Sequence, residues 1–493
     1  MRVTHVVSLI ARRARTGQVP RAVQYLRGLS TSAPADPGLY FDLKKRGFVA
    51  DATRPEDLGN ALQRSQQTVY AGIDPTAPSL HAGHLLYLMC LFRFHAAGHK
   101  IIPLIGGATG LLGDPTGRRT ARDPANKSVV EQNVASLEAA LRKFFEGATQ
   151  YAEARGISTK GALSDLQVKS NLEWHKDFSM LDFFMVVGSH ARMNTMLNKE
   201  SVRTRLTSKD GMSYTEFSYQ LLQAYDFYHL FRNYGCTIQV GGSDQWGNIV
   251  SGLELIARLE GEDAAENPSE GKTSSLETKV SPRCFGLTTP LLTTASGEKF
   301  GKSAGNAVWL DTKLTSPFAF YQYWILTEDK DVEKYLKLFT LVSDAEIESV
   351  MQEHNAAAHK RIAQRRLAAE VTELVHQKSG RELAEKATRL MFGDAGDMTA
   401  SEVFSALQGD PRLVLLDEGD LLGARIFSLA TEHGLVASKS EARRLGKSKG
   451  FYVNHGVVGE DRALERGDLI EGKFAVLRAG KSNVLVVGSK ESN

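Results

Sequence analysis

His81 and His84 stand three residues apart in a stretch that reads Tyr-Ala-Gly-Ile-Asp-Pro-Thr-Ala-Pro-Ser-Leu-His-Ala-Gly-His over residues 70–84. Residues 67–73 have the make-up of a short buried strand, Asp74-Pro75 dictates a turn, and residues 85–97 carry apolar side chains at helical spacing up to Gly98. The two imidazoles therefore fall where a helix begins. Unpaired N–H groups and a partial positive charge gather at such an end, so the pair, with side-chain-free Gly83 between them, suits a phosphate or an adenine packed on backbone. An ordinary strand–helix corner would read the same way.

A second cationic pair, Lys299 and Lys302, lies in the glycine-containing run Thr-Thr-Ala-Ser-Gly-Glu-Lys-Phe-Gly-Lys-Ser over residues 293–303. Two lysines on a movable loop suit a departing polyphosphate, although most such lysines are only solvated. Tyr219, Gln223 and Asp226 recur at i, i+4 and i+7 of a helix expected over 213–234 that is apolar on most other sides. A polar stripe on a buried helix needs partners, supplied either by an internal network or by a polar ligand.

The elements that must position these groups follow from the pattern. Residues 101–105 read as a second strand running into the glycine-rich stretch Gly106–Gly117, which completes a right-handed parallel βαβ unit. Residues 236–240 form another strand, followed by Gly241-Gly242-Ser243-Asp244-Gln245-Trp246 and a helix to Leu259. Ligands bind beyond the carboxyl ends of parallel strands, so Tyr70, Gly72, Asp74, the Gly106–Gly117 loop and Asp244 should surround one crevice, with Asp244 placed for ribose hydroxyls. Helices are expected over 122–146 and 177–200, the latter with a buried or subunit-facing segment at residues 183–187, and 261–282 reads as a polar surface insertion. From residue 315 to 409 the chain is helical and charged. Residues 410–493 differ again, with a capped short helix from Ser438 to Gly446 and strands at 451–453 and 457–458.

Two better-known phosphate motifs are disfavoured. No Gly-x-Gly-x-x-Gly occurs at 106–117, and the Gly-Lys-Ser and Gly-Lys-Thr triplets have Ser296 and Glu266 where a P-loop needs glycine. Cys90, Cys236 and Cys284 are far apart, which indicates neither a zinc cluster nor a disulfide framework. No apolar run is long enough to span a membrane.

Residues 1–35 hold six arginines, no lysine and no acid, the composition of a mitochondrial transit peptide; a basic nucleic-acid-binding arm is the alternative. The 493-residue chain carries a net charge of +3, so removing the six arginines leaves 3 − 6 = −3. RNA would then be held by local patches. One such patch is Lys439, Arg443, Arg444, Lys447 and Lys449, opposed only by Glu441.

His81-Ala82-Gly83-His84 and Lys299-Phe300-Gly301-Lys302-Ser303 resemble the two signatures of class I aminoacyl-tRNA synthetases. Tyr70 with Gly72 to Thr76, the Gly106–Gly117 loop, the Tyr219-Gln223-Asp226 stripe and Gly241 to Trp246 narrow the resemblance to the tyrosyl-tRNA synthetases of bacterial and mitochondrial type. It runs from about Leu43 to the C-terminus, apart from 261–282. Departures are Ala82 where many class I enzymes carry Ile, Phe-Gly for Met-Ser between the lysines, and Arg118 for a Lys of some relatives.

The resemblance implies an α/β fold with a doubly wound, Rossmann-like catalytic domain over 36–314. A helical anticodon-side domain (315–409) and a small α+β RNA-binding domain (410–493) would follow it. It implies ATP-dependent attachment of tyrosine to tRNA(Tyr) through a tyrosyl-adenylate, in the mitochondrial matrix, by a homodimer. Tyr70 and Asp226 would hold the phenol, Asp114, Tyr219 and Gln223 the ammonium, and Gln245 the carboxylate, with Asp74 in the same subsite. Gly72, Thr76, Gly83, Gly242, Asp244 and Ser303 would contact ATP, His81 and His84 the reacting phosphate, Lys299 and Lys302 the pyrophosphate. Arg118 and Arg122 occupy a basic mobile loop, and the Lys439–Lys449 patch would meet tRNA. Mg²⁺ would arrive on the nucleotide, with no metal held by the protein alone. A binding-only descendant acting in RNA splicing, and a tryptophan-specific enzyme, are the rival readings. The intact phosphate-handling set opposes the first, and the Tyr70–Asp226 pair opposes the second.

Overall fold

A computed structural model describes residues 38–114, 126–161, 166–209, 211–261, 280–295, 297, 300–303, 306–392, 398–480 and 483–490. Its main sheet is built from β1 (Asp51–Ala52), β2 (Thr68–Ile73), β3 (Lys100–Ile105), β4 (Lys169–Ser170), β5 (Cys236–Gly242) and β6 (Phe285–Thr289) in the order β1-β6-β5-β2-β3-β4. All neighbours are parallel except the edge pair β1–β6. The chain leaves β2 for β3 and β4 on one side, then crosses back to β5 on the other. The order thus reverses between β2 and β5, and a crevice opens at their carboxyl ends.

Sequence explains why these strands are central. β2 reads Thr-Val-Tyr-Ala-Gly-Ile and is buried on both faces, as parallel strands covered by helices must be. The Tyr214–Tyr234 helix is fixed at its start by reciprocal bonds between Ser213 and Glu216 and at its end by Gly235 at φ 61°. Glu216 is further clamped by the buried Arg205 at 3.1 Å. With both ends fixed, the helix presents the same stripe to the crevice along its length.

Two expected helices differ in extent. The one expected over 122–146 runs Lys127–Glu153, and 122–125 lie outside the described residues. Gly147 does not stop it; a Cβ there would come 3.3 Å from the Leu374 carbonyl, so glycine admits a close crossing by the Ile362–Phe392 helix. The single helix expected over 177–200 is instead a broken series, Met180–Val186, a 3₁₀ turn Gly188–His190, Met193–Leu197 and Glu200–Leu206. Val187, fully buried beside Ala224 and Leu255, anchors the break. Within 183–187 the burial is mixed, with Phe183 and Val186 packed around Val187 while Met185 is 72% exposed; Met180 and Leu181, just before it, are also exposed. Residues 262–279 of the expected insertion lie outside the described residues.

The helices Pro317–Ile325, Asp329–Phe339, Asp344–Ala356 and Ile362–Phe392 share one apolar core with the main sheet. Of the basic pairs Lys360-Arg361 and Arg365-Arg366, the second member of each is tied into the fold: Arg361 donates to the carbonyls of Ile325 and Thr327, and Arg366 pairs with Glu370 at 3.0 Å, while Lys360 and Arg365 are exposed. A short hairpin joins β7 (Lys302–Ser303) to β8 (Asn306–Ala307). The C-terminal sheet contains β9 (Leu413–Leu416), β10 (Phe451–Val453), β11 (Gly456–Val457), β12 (Phe474–Ala479) and β13 (Asn483–Ser489), ordered β11-β10-β12-β13-β9. Asn454 and His455, at φ 46° and 67°, make the two-residue turn between β10 and β11.

Where the Lys127–Glu153 helix meets the Ile362–Phe392 helix, the Tyr151 hydroxyl donates to the buried Glu370 at 2.6 Å, and Arg155 donates to Glu370 at 2.9 Å and to Glu373 at 2.7 Å. Tyr151→Phe leaves the carboxylate one donor short, and a loss of about 1–3 kcal/mol is expected. Urea denaturation followed by tryptophan fluorescence checks this; an unchanged midpoint would show that the bond adds nothing.

Candidate active site

At the β2/β5 reversal lies an open cleft of about 970 Å³. Twelve of the residues singled out in the sequence line it: Tyr70, Gly72, Asp74, Thr76, His84, Asp114, Tyr219, Gln223, Asp226, Gly242, Asp244 and Gln245. They arrive from the end of β2, the loop after β3, the Tyr214–Tyr234 helix and the 3₁₀ turn Ser243–Gln245 after β5.

One end of the cleft is organised around Asp226, 2% exposed. Its Oδ1 accepts from Trp174 Nε1 at 2.8 Å and meets His175 Nε2 at 2.7 Å; its Oδ2 accepts from Asn171 Nδ2 at 3.0 Å. Beside it the Tyr70 hydroxyl is buried without a hydrogen-bond partner. Burial, and then the Asp226 carboxylate, hold the Tyr70 phenol well above its ordinary pKa, so it stays an O–H donor. Asn171 also donates to Thr109 Oγ1 at 3.1 Å, Thr109 to Asp74 Oδ1 at 2.9 Å, and the Tyr219 hydroxyl to Asp74 Oδ2 at 3.2 Å. Burial and then Asp74, Asp114 and Asp226 raise the Tyr219 phenol in the same way. Two carboxylates and a neutral phenol thus face the middle of the cleft, a setting for a cation. Gln223 donates to Gln245 at 3.2 Å and Gln245 to Asp114 at 2.8 Å, while Gln223 Oε1 and Gln239 Oε1 are buried without partners.

The other end is polar backbone and imidazole. His84 Nδ1 accepts the His81 backbone N–H, and His81 Nδ1 accepts the Gly83 N–H, both at 3.1 Å. Each ring's acceptor nitrogen is therefore occupied, which puts the hydrogen of a neutral imidazole on Nε2. The rings stack at 3.9 Å and 20°. His84 lines the cleft, whereas His81 and Gly83 stand behind it. A Cβ on Gly83 would come 2.9 Å from the His81 ring, and a Cβ on Gly301 only 2.5 Å from Gly83 N. Gly301, at φ 87°, is thereby seated on the histidine turn. Neighbouring Phe300 stacks on Phe339 at 5.1 Å, anchoring the lysine loop to the helical core. Lys302 and Ser303 form β7, and Lys299, Arg118 and Arg122 lie outside the described residues.

Sequence reasoning missed Asn171, Trp174, His175, Tyr87 and Gln239, all at or against the cleft, whereas Thr109 belongs to the Gly106–Gly117 loop that it had placed there. Asn171, Trp174 and His175 follow β4, a two-residue strand too short to be read. Their i, i+3, i+4 spacing was the available signal. The Tyr87 phenol is pushed up to about 12 by burial and then by Asp244, and it too remains a neutral donor. Among the described residues no group of three or more His, Cys, Asp or Glu is arranged to hold a metal, and no helix is long and apolar enough to cross a membrane. Far from the cleft, Lys439, Arg443, Arg444 and Lys447 are exposed on the Lys439–Lys447 helix, and Lys449 is exposed just beyond it.

The family model "tRNA synthetases class I (W and Y)" matches residues 62–393. The mitochondrial tyrosine–tRNA ligase of Drosophila melanogaster is 41% identical over 455 residues, covering 90% of this chain and 93% of that one. The chain belongs to the tyrosyl-tRNA synthetase family. A C-terminally truncated mitochondrial tyrosyl-tRNA synthetase of Aspergillus nidulans matches in structure with a TM-score of 0.64 at 35% identity, over 72% of this chain and 95% of that one. The corresponding enzyme of Coccidioides posadasii gives 0.62 and 34%, over 78% and 99%. Both signatures of this synthetase family meet through Gly301. In Gly301→Ala the positive φ and the Gly83 contact cannot both persist, and strain of ~1–3 kcal/mol should slow adenylate formation about tenfold or more. Pre-steady-state kinetics with tyrosine binding as control checks this; an unchanged rate would show that the seat is dispensable.

Proposed function

We propose that the cleft binds tyrosine with its phenol between Tyr70 and Asp226 and ATP towards Asp244 and His84. The observation that carries this is the pairing of a buried, unpartnered Tyr70 O–H with a buried, acceptor-only Asp226. A phenol hydroxyl is the complement of that pair, since it accepts from one and donates to the other. Phenylalanine satisfies neither, and an indole N–H satisfies only Asp226. Tyrosyl-tRNA synthetases are themselves the standard illustration that a buried hydrogen-bonding site rejects an analogue lacking the oxygen.

As a class I tyrosine–tRNA ligase, the protein joins tyrosine to tRNA(Tyr) in two steps. A carboxylate oxygen of tyrosine attacks the α-phosphorus of ATP, the bond from that phosphorus to its bridging oxygen breaks, and pyrophosphate leaves with the electron pair. A terminal ribose hydroxyl of tRNA then takes the tyrosyl group and releases AMP. In our assignment Asp114, Tyr219 and Gln223 hold the ammonium, with Asp74 orienting Tyr219. Gln245 holds the carboxylate for in-line attack. Gly72, Thr76, Gly242 and Asp244 accommodate the adenosine, and Gly83, without a side chain, lets the nucleotide approach the histidine turn. The Nε2–H groups of His81 and His84 face charge developing on the phosphoryl oxygens, and Lys299, Lys302 and Ser303 take the departing pyrophosphate. Mg²⁺ enters as part of the nucleotide substrate, and Arg118 and Arg122 add positive charge for its phosphates.

The domain division at 314/315 and 409/410, the transit peptide at 1–35 and the matrix location belong to the same proposal. Relatives that act in mitochondria support a mitochondrial location. The exposed apolar side chains of Met180, Leu181 and Met185 support a homodimer.

Tyr70→Phe keeps the ring and removes the hydroxyl. The tyrosine-over-phenylalanine ratio in pyrophosphate exchange should fall about three- to tenfold, one neutral hydrogen bond's worth, with the KM for ATP unmoved. An unaltered ratio would reduce Tyr70 to a packing residue. Changing Arg443, Arg444, Lys447 and Lys449 together to Ala should weaken tRNA charging and leave adenylate formation intact, because phosphate contacts act on RNA binding alone. Filter binding at two salt concentrations reads this out; unchanged affinity would return the patch to a solvated helix face.

A further inference from the structure

Asp226 is held by three side chains that stand on one face of a single helical turn. Asn171 caps the Leu172–His175 helix, and Trp174 and His175 follow at i+3 and i+4. They do not divide the carboxylate evenly: Trp174 and His175 both go to Oδ1, at 2.8 and 2.7 Å, whereas Asn171 alone reaches Oδ2, at 3.0 Å. A carboxylate has about four acceptor positions, two on each oxygen. Oδ1 is therefore filled, and one position remains, on Oδ2.

The direction of the His175 contact follows from its partner. A carboxylate oxygen only accepts, so at 2.7 Å the Nε2 atom must carry a hydrogen and donate it. His175 is buried, with side-chain exposure of 6% against 3% for Asp226. Its ring lies 5.7 Å from Tyr225, and Trp174 is stacked at 4.4 Å on His229, so the turn is braced from the Tyr214–Tyr234 helix that also carries Asp226.

We propose that His175 is a specificity-determining positioning residue, which by filling the second acceptor position of Asp226 Oδ1 leaves Oδ2 as the one place for the substrate phenol to donate. The inference rests on the assignment of Tyr70 and Asp226 to the phenol. Without the imidazole N–H, Oδ1 keeps an open acceptor position inside the pocket. The carboxylate can then turn, and a water can enter. Either event satisfies Asp226 without the phenol oxygen and weakens the penalty that phenylalanine suffers. Trp174 and Asn171 cannot compensate, since their own hydrogens are already committed.

Two variants separate the donor from the ring. His175→Phe keeps a ring of similar size without an N–H, and His175→Gln keeps an N–H donor without the ring. In pyrophosphate exchange with tyrosine and with phenylalanine, His175→Phe should lower the ratio of kcat/KM values about tenfold or more, the scale of one hydrogen bond to a charged group. His175→Gln should stay within about threefold of the wild type, and the KM for ATP should be unmoved in both. Should the Phe variant fail to fold, His175→Leu replaces it with the same expectation. A ratio kept by Phe, or lost equally in Phe and Gln, overturns the inference and makes His175 a packing residue. Tyr70→Phe run alongside distinguishes the two levels. If it lowers the ratio and His175→Phe does not, only His175 is misassigned; if neither moves the ratio, the phenol subsite itself is wrong.

Discussion

One buried carboxylate constrains much of this structure. Asp226 sits at 2% exposure in a wall of aromatic rings, and a charge there is tolerable only if its oxygens are filled by donors. Three come from the turn after β4, and that turn is held in place by Asn171, whose Oδ1 accepts from the Ala108 N–H at 2.7 Å in the loop after β3. The carboxylate therefore ties the Tyr214–Tyr234 helix to both strands on one side of β2. Asp226 also lines the cleft. In the proposed assignment, what makes it costly to bury is also what lets it read a single oxygen atom.

At the opposite end the governing constraint is steric. The histidine turn and the lysine loop approach so closely that Gly83 and Gly301 have no room for a side chain, and the backbone N–H groups of His81 and Gly83 fix the tautomers of His84 and His81 respectively. That end of the cleft is thus built from pre-set donors, which would need no reorientation towards a group developing charge there. Phe300 carries the link onward into the ring cluster of Trp324, Tyr335 and Phe339, so the helices beyond residue 317 support the catalytic loop.

Much of this was legible in the chain because the signals were long or chemically unusual. The strand–turn–helix around residues 68–96, the stripe of Tyr219, Gln223 and Asp226, and the acids and glycines after strand ends all sit where period and turn chemistry place them. Less was legible where structure depends on distant contacts. The 177–200 segment looked like one helix because its apolar content is continuous; burial of Val187 and the side chain of Arg258 reaching the His190 carbonyl break it. The helix expected to end at 146 runs on to Glu153, through Gly147, which is a crossing point. Asn171, Trp174 and His175 were missed because β4 is two residues long, and only the fold shows that its carboxyl end abuts Asp226.

Selection of the amino acid by its phenol oxygen is what the proposed arrangement of Tyr70 and Asp226 has to deliver. It is tested most directly by amino-acid-dependent ATP–pyrophosphate exchange on the unmodified protein, with tyrosine, phenylalanine and tryptophan each supplied alone. The account predicts rapid exchange with tyrosine and rates lower by orders of magnitude with the other two. Comparable exchange with phenylalanine, or faster exchange with tryptophan, would contradict it.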